Sequence, residues 1–128
     1  MSRRIDIVEM AARDGLQNEK TIIPSAEKIA LIDQLSKCGF SRIEATSFVS
    51  PKWVPQLADG AAVMAGIKRR PGISSAALVP NMKGSEAATS AGVNEVAVFL
   101  SASAGFFRAH LHFSISDSIQ RARPVADA

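Results

Sequence analysis

Apolar residues along the chain follow two alternating rhythms. Ile5-Asp6-Ile7-Val8-Glu9-Met10 has the partial two-residue alternation of a short strand. It runs into Ala11-Ala12-Arg13-Asp14-Gly15, so a charged pair is placed at the strand's carboxyl end, ahead of a glycine expected to let the backbone turn sharply. From Pro24-Ser25 onward, Ile29, Ile32 and Leu35 recur on one helical face, Asp33 is spaced to pair with Lys37, and Gly39 supplies the stop. A second strand is predicted from Arg42 to Val49. It leads through the proline-rich SPKWVPQ into a helix from about Gln56 to Lys68, carrying Leu57, Ala61 and Met64. Ser74 to Val79 reads as a third strand, Met82 to Ala91 as a third helix stopped by Gly92, and Glu95 to Leu100 as a fourth strand. SASAGFFRAHLHF then reads as a long loop. Ser114, with Asp117 three residues on, has the form of a capping box opening a fourth helix, which Pro124 is expected to cut short.

Four strand-helix units in a row imply parallel strands with crossover helices, an α/β architecture. Parallel sheets place their chemistry at the carboxyl ends of the strands. The candidate polar residues are therefore Arg13 and Asp14 after strand one, Glu44 and Ser47 on the second half of strand two, Asn81 after strand three, and Ser101 and Ser103 after strand four. Alternation puts Glu44 on the same face as Thr46 and Phe48, and apolar Ile43 and Ala45 beside it give the strand the look of one buried on both faces. A charge in such a strand needs a partner. From the residues alone, Arg13 and Glu44 fit a structural ion pair closing the sheet as well as they fit a catalytic pair. An aspartate at a strand end is a hard oxygen donor suited to Mg²⁺ or Mn²⁺ where other ligands join it, and a neighbouring arginine offers a fork of donors to developing negative charge.

Composition narrows the class. With 128 residues, 47% of them hydrophobic, the chain suits one domain with a real core. No glycine-rich dinucleotide fingerprint follows the first strand and no P-loop lysine motif is present. The net charge of +3 is scattered, apart from Lys68-Arg69-Arg70, which is placed to complement the dipole in a last helical turn, so no nucleic-acid partner is expected. No apolar run approaches the roughly 20 residues of a membrane span, and Met-Ser-Arg-Arg runs into the first strand without a signal-peptide core. The one cysteine, Cys38, suits a reducing compartment, and a cytoplasmic chain is expected in which it is a buried structural thiol.

Three stretches carry a resemblance: RDGLQNE at 13 to 19, IEATSFVSPKWVPQLAD at 43 to 59, and PNMKGSEAATSAGVNEVAVFLSAS at 80 to 103. Together they resemble the hydroxymethylglutaryl-CoA lyases, part of a superfamily of metal-dependent TIM-barrel lyases and Claisen-type synthases that share mainly the arginine-aspartate pair. The resemblance implies residues 1–128 to be the amino-terminal part of a TIM barrel, truncated to about four parallel (βα) units, a half barrel. It implies an acyl-CoA substrate and cleavage of 3-hydroxy-3-methylglutaryl-CoA to acetyl-CoA and acetoacetate. Asp14 would be a ligand of a divalent metal, Mg²⁺ or Mn²⁺, Arg13 would stabilise the enolate, Glu44 would support acid-base chemistry, and Gln17 and Ser47 would line the substrate pocket.

An eight-unit barrel takes about 250 residues. The family's other metal ligands, a His-x-His pair on a later strand and an asparagine beyond it, have no counterpart in the chain. His110 and His112 form a His-x-His of their own, but their position does not match that pair, and they read as solvated loop residues. A half barrel exposes two sheet edges, through which a homo-oligomer could form.

Overall fold

The structure, a computed structural model, describes residues 2–100 and 114–128. Its core is one four-stranded parallel sheet with strands in sequence order. β1 (Val8–Glu9) passes through a π-helical turn (Ala11–Gly15) to α1 (Ser25–Leu35). β2 (Arg42–Ser47) leads through a short 3-10 turn (Pro55–Leu57) to α2 (Gly60–Gly66). β3 (Ser74–Leu78) and α3 (Met82–Ser90) follow, then β4 (Glu95–Ala97), and α4 (Ile115–Asp127) comes after the residues outside the description. Parallel neighbours cannot be joined by a tight hairpin, so each strand pair needs the crossover that the intervening helix makes.

The apolar rhythm finds its burial on the helix side of the sheet. Ala12, Ile32, Ala45, Val63, Met64 and Ile67 form one cluster between β2, α1 and α2. Val79, Ala88 and Val125 form a second among β3, α3 and α4, and Phe48 packs against both. Burying each large aliphatic chain contributes about 1.5–3 kcal/mol. β2 is central and is buried at every residue from Ile43 to Ser47, as its two-sided apolar pattern implies. α1 stops at Leu35, short of the predicted stop, and the turn after it closes at Gly39, whereas α3 ends directly before Gly92; both glycines lie in the left-handed region (φ +88° and +77°) that glycine adopts without a Cβ clash.

The outer elements depart from the sequence pattern. β1 covers only Val8–Glu9 of the predicted Ile5–Met10, and β4 only Glu95–Ala97 of the predicted Glu95–Leu100. Among the described residues both are outer strands bonded on one side, and Ile5 and Ile7 stand exposed instead of being held in alternation. The predicted helix from Gln56 to Lys68 divides at Ala58-Asp59 into a 3-10 turn and a seven-residue α2. The Lys68-Arg69-Arg70 run therefore lies beyond the helix and does not cap it. Lys68 N–H instead donates to Asp33 Oδ1 at 2.8 Å, and Asp33 is engaged there. Arg69 donates to the Gly92 carbonyl at 2.7 Å, so the basic run serves the end of α3.

α4 opens on the expected capping box, with Ser114 Oγ accepting from Asp117 N–H at 3.1 Å and the Asp117 carboxylate accepting from Ser114 N–H at 3.3 Å. It does not stop at Pro124. The proline forfeits one backbone donor, but Val125 just past it is buried on Val79 and Ala88, and that packing carries the helix to Asp127. Cys38 is exposed, not buried: it lies in the turn after α1, with Sγ donating to the Gln34 carbonyl at 3.4 Å.

Candidate active site

β2 and β3 do not pair residue for residue. Glu44 stands opposite Ala76 and Thr46 opposite Ala77, so Ala45 is an extra residue, a β-bulge. The bulge sends two consecutive side chains toward the helices: Ala45 into the cluster with Ala12 and Val63, and Thr46 against α2 at Gly60. A Cβ on Gly60 would stand 3.0 Å from Thr46 Oγ1 and 3.2 Å from the Ser47 carbonyl, a tight approach that glycine makes without displacing its neighbours. Glu44 thus does not share a face with Thr46, as plain alternation predicts. It lines a hollow on the opposite face of the sheet with Met10, Ala76 and Ala97. Across the same hollow, Arg42 Nε lies 2.6 Å from Glu95 Oε2.

The residues after β1 reach that face by a helical turn. Three N–H groups, from Arg13, Asp14 and Gly15, converge on the Met10 carbonyl at 3.2, 2.8 and 3.4 Å, and Glu9 Oε1 accepts from Ala11 N–H at 2.8 Å. The π-helical turn sends Ala12 into the core and Arg13 over the sheet. Gly15 is not the device that makes it: its φ is not positive, and a Cβ there would meet only Ala11 Cβ at 3.9 Å.

Four of the five singled-out site residues come together. Arg13 Nε donates to Glu44 Oε1 at 2.6 Å, while its Nη1 lies 3.3 Å from Asp14 Oδ1 and 3.4 Å from Gln17 Oε1. The arginine and glutamate side chains are 13% and 8% exposed, whereas that of Asp14 is 61% exposed, so the site has an enclosed ion pair beneath an open carboxylate. Asn18 Nδ2 donates to the Asp14 carbonyl at 2.8 Å and ties the loop back on itself. Ser47 stands apart from this group: its hydroxyl accepts from Val49 N–H at 3.3 Å, and it borders a separate cleft between α2 and α3 with Asn81 and Lys83. Asn81 caps α3, its Oδ1 accepting from Gly84 N–H at 3.0 Å. Ser101, Ser103, His110 and His112 lie outside the described residues.

Asp14 presents an exposed carboxylate, the oxygen-donor type that hard cations take. Among the described residues no three His, Cys, Asp or Glu side chains converge to complete such a site.

A family model described as HMGL-like matches residues 4–128. The chain belongs to the HMGL-like family. Within that family, it is 53% identical over its whole length to a Pseudomonas aeruginosa 3-hydroxy-3-isohexenylglutaryl-CoA/hydroxymethylglutaryl-CoA lyase, and spans 43% of that protein. The HMG-CoA lyase structure from Brucella melitensis matches 97% of the chain with a TM-score of 0.94 and 62% identity, the chain covering 44% of it. An Acinetobacter baumannii HMG-CoA lyase, solved with coenzyme A and 3-methylmalate, matches 95% of the chain with a TM-score of 0.91 and 43% identity, the chain covering 40% of it. The open four-stranded sheet of this HMGL-like chain is accordingly a partial TIM barrel, and the family's members among these relatives are carbon-carbon lyases.

One polar cluster escaped the sequence reading. Lys28, 3% exposed, is paired with Asp59 and linked through it to Ser25. Its signal was the spacing: Lys28 stands four residues before Ile32, on the apolar face of α1.

Proposed function

We propose that this chain is the amino-terminal part of a lyase that cleaves 3-hydroxy-3-methylglutaryl-CoA to acetyl-CoA and acetoacetate. The observation that carries this reading is the convergence of Arg13, Asp14 and Gln17, just past the carboxyl end of β1, on Glu44 of β2. Asp14 would hold a divalent cation, Mg²⁺ or Mn²⁺, together with ligands from beyond the described residues; when bound, the ion supplies Lewis-acid polarisation of the substrate's hydroxyl and carboxylate. Arg13 is held through Nε by Glu44, with Nη1 directed to Asp14 and Gln17. A base takes the hydroxyl proton, the oxygen forms the ketone of acetoacetate as the carbon-carbon bond breaks, the bonding pair passes to the departing thioester as an enolate to which Arg13 donates, and that enolate takes up a proton to give acetyl-CoA. Glu44 fixes the guanidinium and supports the acid-base step. Gln17 orients substrate at the rim. A cytoplasmic setting completes the reading, in keeping with the single free cysteine.

The experiment is an acetoacetate-release assay with Mg²⁺ or Mn²⁺ on a barrel containing this chain. Turnover abolished by Asp14→Ala is the expected result, and full activity in that variant overturns the ligand assignment.

A second reading draws on the outer strands. Among the described residues β1 and β4 each bond on one side, and Val96, Val98 and Leu100 are between 37% and 47% exposed. Such edges favour pairing with a second copy, and a mass in solution that stays monomeric at high concentration excludes it.

A further inference from the structure

α1 buries a charge where an aliphatic residue would pack more cheaply. Lys28 Nζ lies 2.7 Å from Asp59 Oδ1 and also donates to the Gln56 carbonyl. The other Asp59 oxygen accepts from Ser25 Oγ at 2.5 Å. Gln56 Nε2 donates in turn to the Glu19 carbonyl at 3.2 Å. Asp59 immediately precedes α2, where an aspartate would ordinarily accept from the first N–H groups of the helix, yet it makes no such bond and is turned toward α1 instead.

Removing an ammonium from water costs several kcal/mol, and a buried pair is often no more stabilising than apolar residues of similar volume. What the pair adds is direction. Three chain segments end on it: the first turn of α1, the loop after β2 at Gln56 and Asp59, and, through Gln56, the loop after β1 at Glu19. Those two loops leave the strand ends that carry Arg13, Asp14 and Ser47.

We propose that Ser25, Lys28 and Asp59 are positioning residues that lock the loop after β2 to the loop after β1, so that both walls of the strand-end site keep one relation. The inference concerns the site described above and does not depend on which substrate it takes.

Hydrogen-deuterium exchange of the 128-residue chain tests it. The Trp53 and Val54 amides donate to the Ser50 carbonyl at 2.9 and 3.1 Å and report on the loop after β2; the Ala77 amide, in buried β3, reports on the core. Lys28→Met leaves Asp59 without its cation, and Lys28→Met combined with Asp59→Leu removes both charges. In the double variant the core amide is expected to return to wild-type protection while the loop amides exchange about tenfold faster or more. Ser25→Ala, which keeps the ion pair, is expected to give the same loop-confined acceleration at smaller size. Loop protection that returns together with core protection in the double variant, or loop amides unmoved in all three, overturns the proposal. Where the single lysine variant does not fold, the double variant and Ser25→Ala decide the matter.

Discussion

Arg13 Nε and Glu44 Oε1 stand 2.6 Å apart although 31 residues separate them in the chain. One comes from a π-helical turn and the other from the middle of a central strand, and the β-bulge at Ala45 leaves Glu44 on the face where Arg13 arrives. The pair closes the turn after β1 onto β2, and the same guanidinium reaches the open carboxylate of Asp14 at 3.3 Å.

Glu44→Ala should therefore cost more than an ordinary ion-pair deletion. Both side chains are largely enclosed, so the substitution leaves an uncompensated guanidinium, a loss of about 3–5 kcal/mol. Urea unfolding of the variant chain measures it, and a loss below about 1 kcal/mol would mark the pair as solvent-screened.

Asp59 gives a pH signature. Burial pushes its carboxyl up, but hydrogen bonds from Lys28 and Ser25 and the Lys28 charge outweigh it and hold the group below the usual 3.8. A carboxyl lowered on folding stabilises the fold fully above its unfolded value, and that stability is lost as pH falls through the lower folded value. Asp59→Asn should thus destabilise the chain at neutral pH, with the gap to wild type narrowing below about pH 4. Thermal melts of both proteins across that range check it; a gap independent of pH would show that ionisation of Asp59 contributes nothing.

Pro124→Ala should stabilise. The alanine restores an N–H inside α4 and removes the ring's clash with the preceding turn, a gain of up to about 3 kcal/mol for a helix interior and less near the end. The readout is an upward shift of the melting temperature; an unchanged or lower value would mean that the ring packs favourably against its surroundings.

Cys38 should react with an aromatic disulfide reagent in the native chain, without denaturant, at a rate close to that of the unfolded protein. Its exposure in the turn after α1 is the reason. Protection until unfolding would place the thiol inside.

The order of elements was legible because burial follows the apolar rhythm closely in the central units: Ile32 on α1, Ile43 and Ala45 on β2 and Ala88 on α3 are all buried. The strand-end pair Arg13-Asp14 could likewise be read from position alone. Where tertiary contacts outvote local pattern, the reading failed. Pro124 looks like a stop until Val125 is seen to pack, and Cys38 looks interior until the turn carries it outward. The bulge at Ala45 has no local signature in RIEATS, so the face of Glu44 relative to Thr46 could not be derived from alternation. Lys28 went unread although its spacing puts it on the apolar face of α1; its acceptors at Gln56 and Asp59 lie 28 and 31 residues away, and only the folded chain brings them together.

The ends of the helical units are held by their neighbours. Asp33 in α1 receives the chain just past α2, and Arg69, just past α2, reaches the turn that ends α3. A strand-helix unit cut out of this protein would take along an unpaired donor or leave behind an unpaired acceptor, so the units are not interchangeable bricks. Chimeras between related barrels should join best when the crossover carries Asp33 with Lys68 and Arg69 with Gly92 from the same parent, because those ties are inherited as pairs.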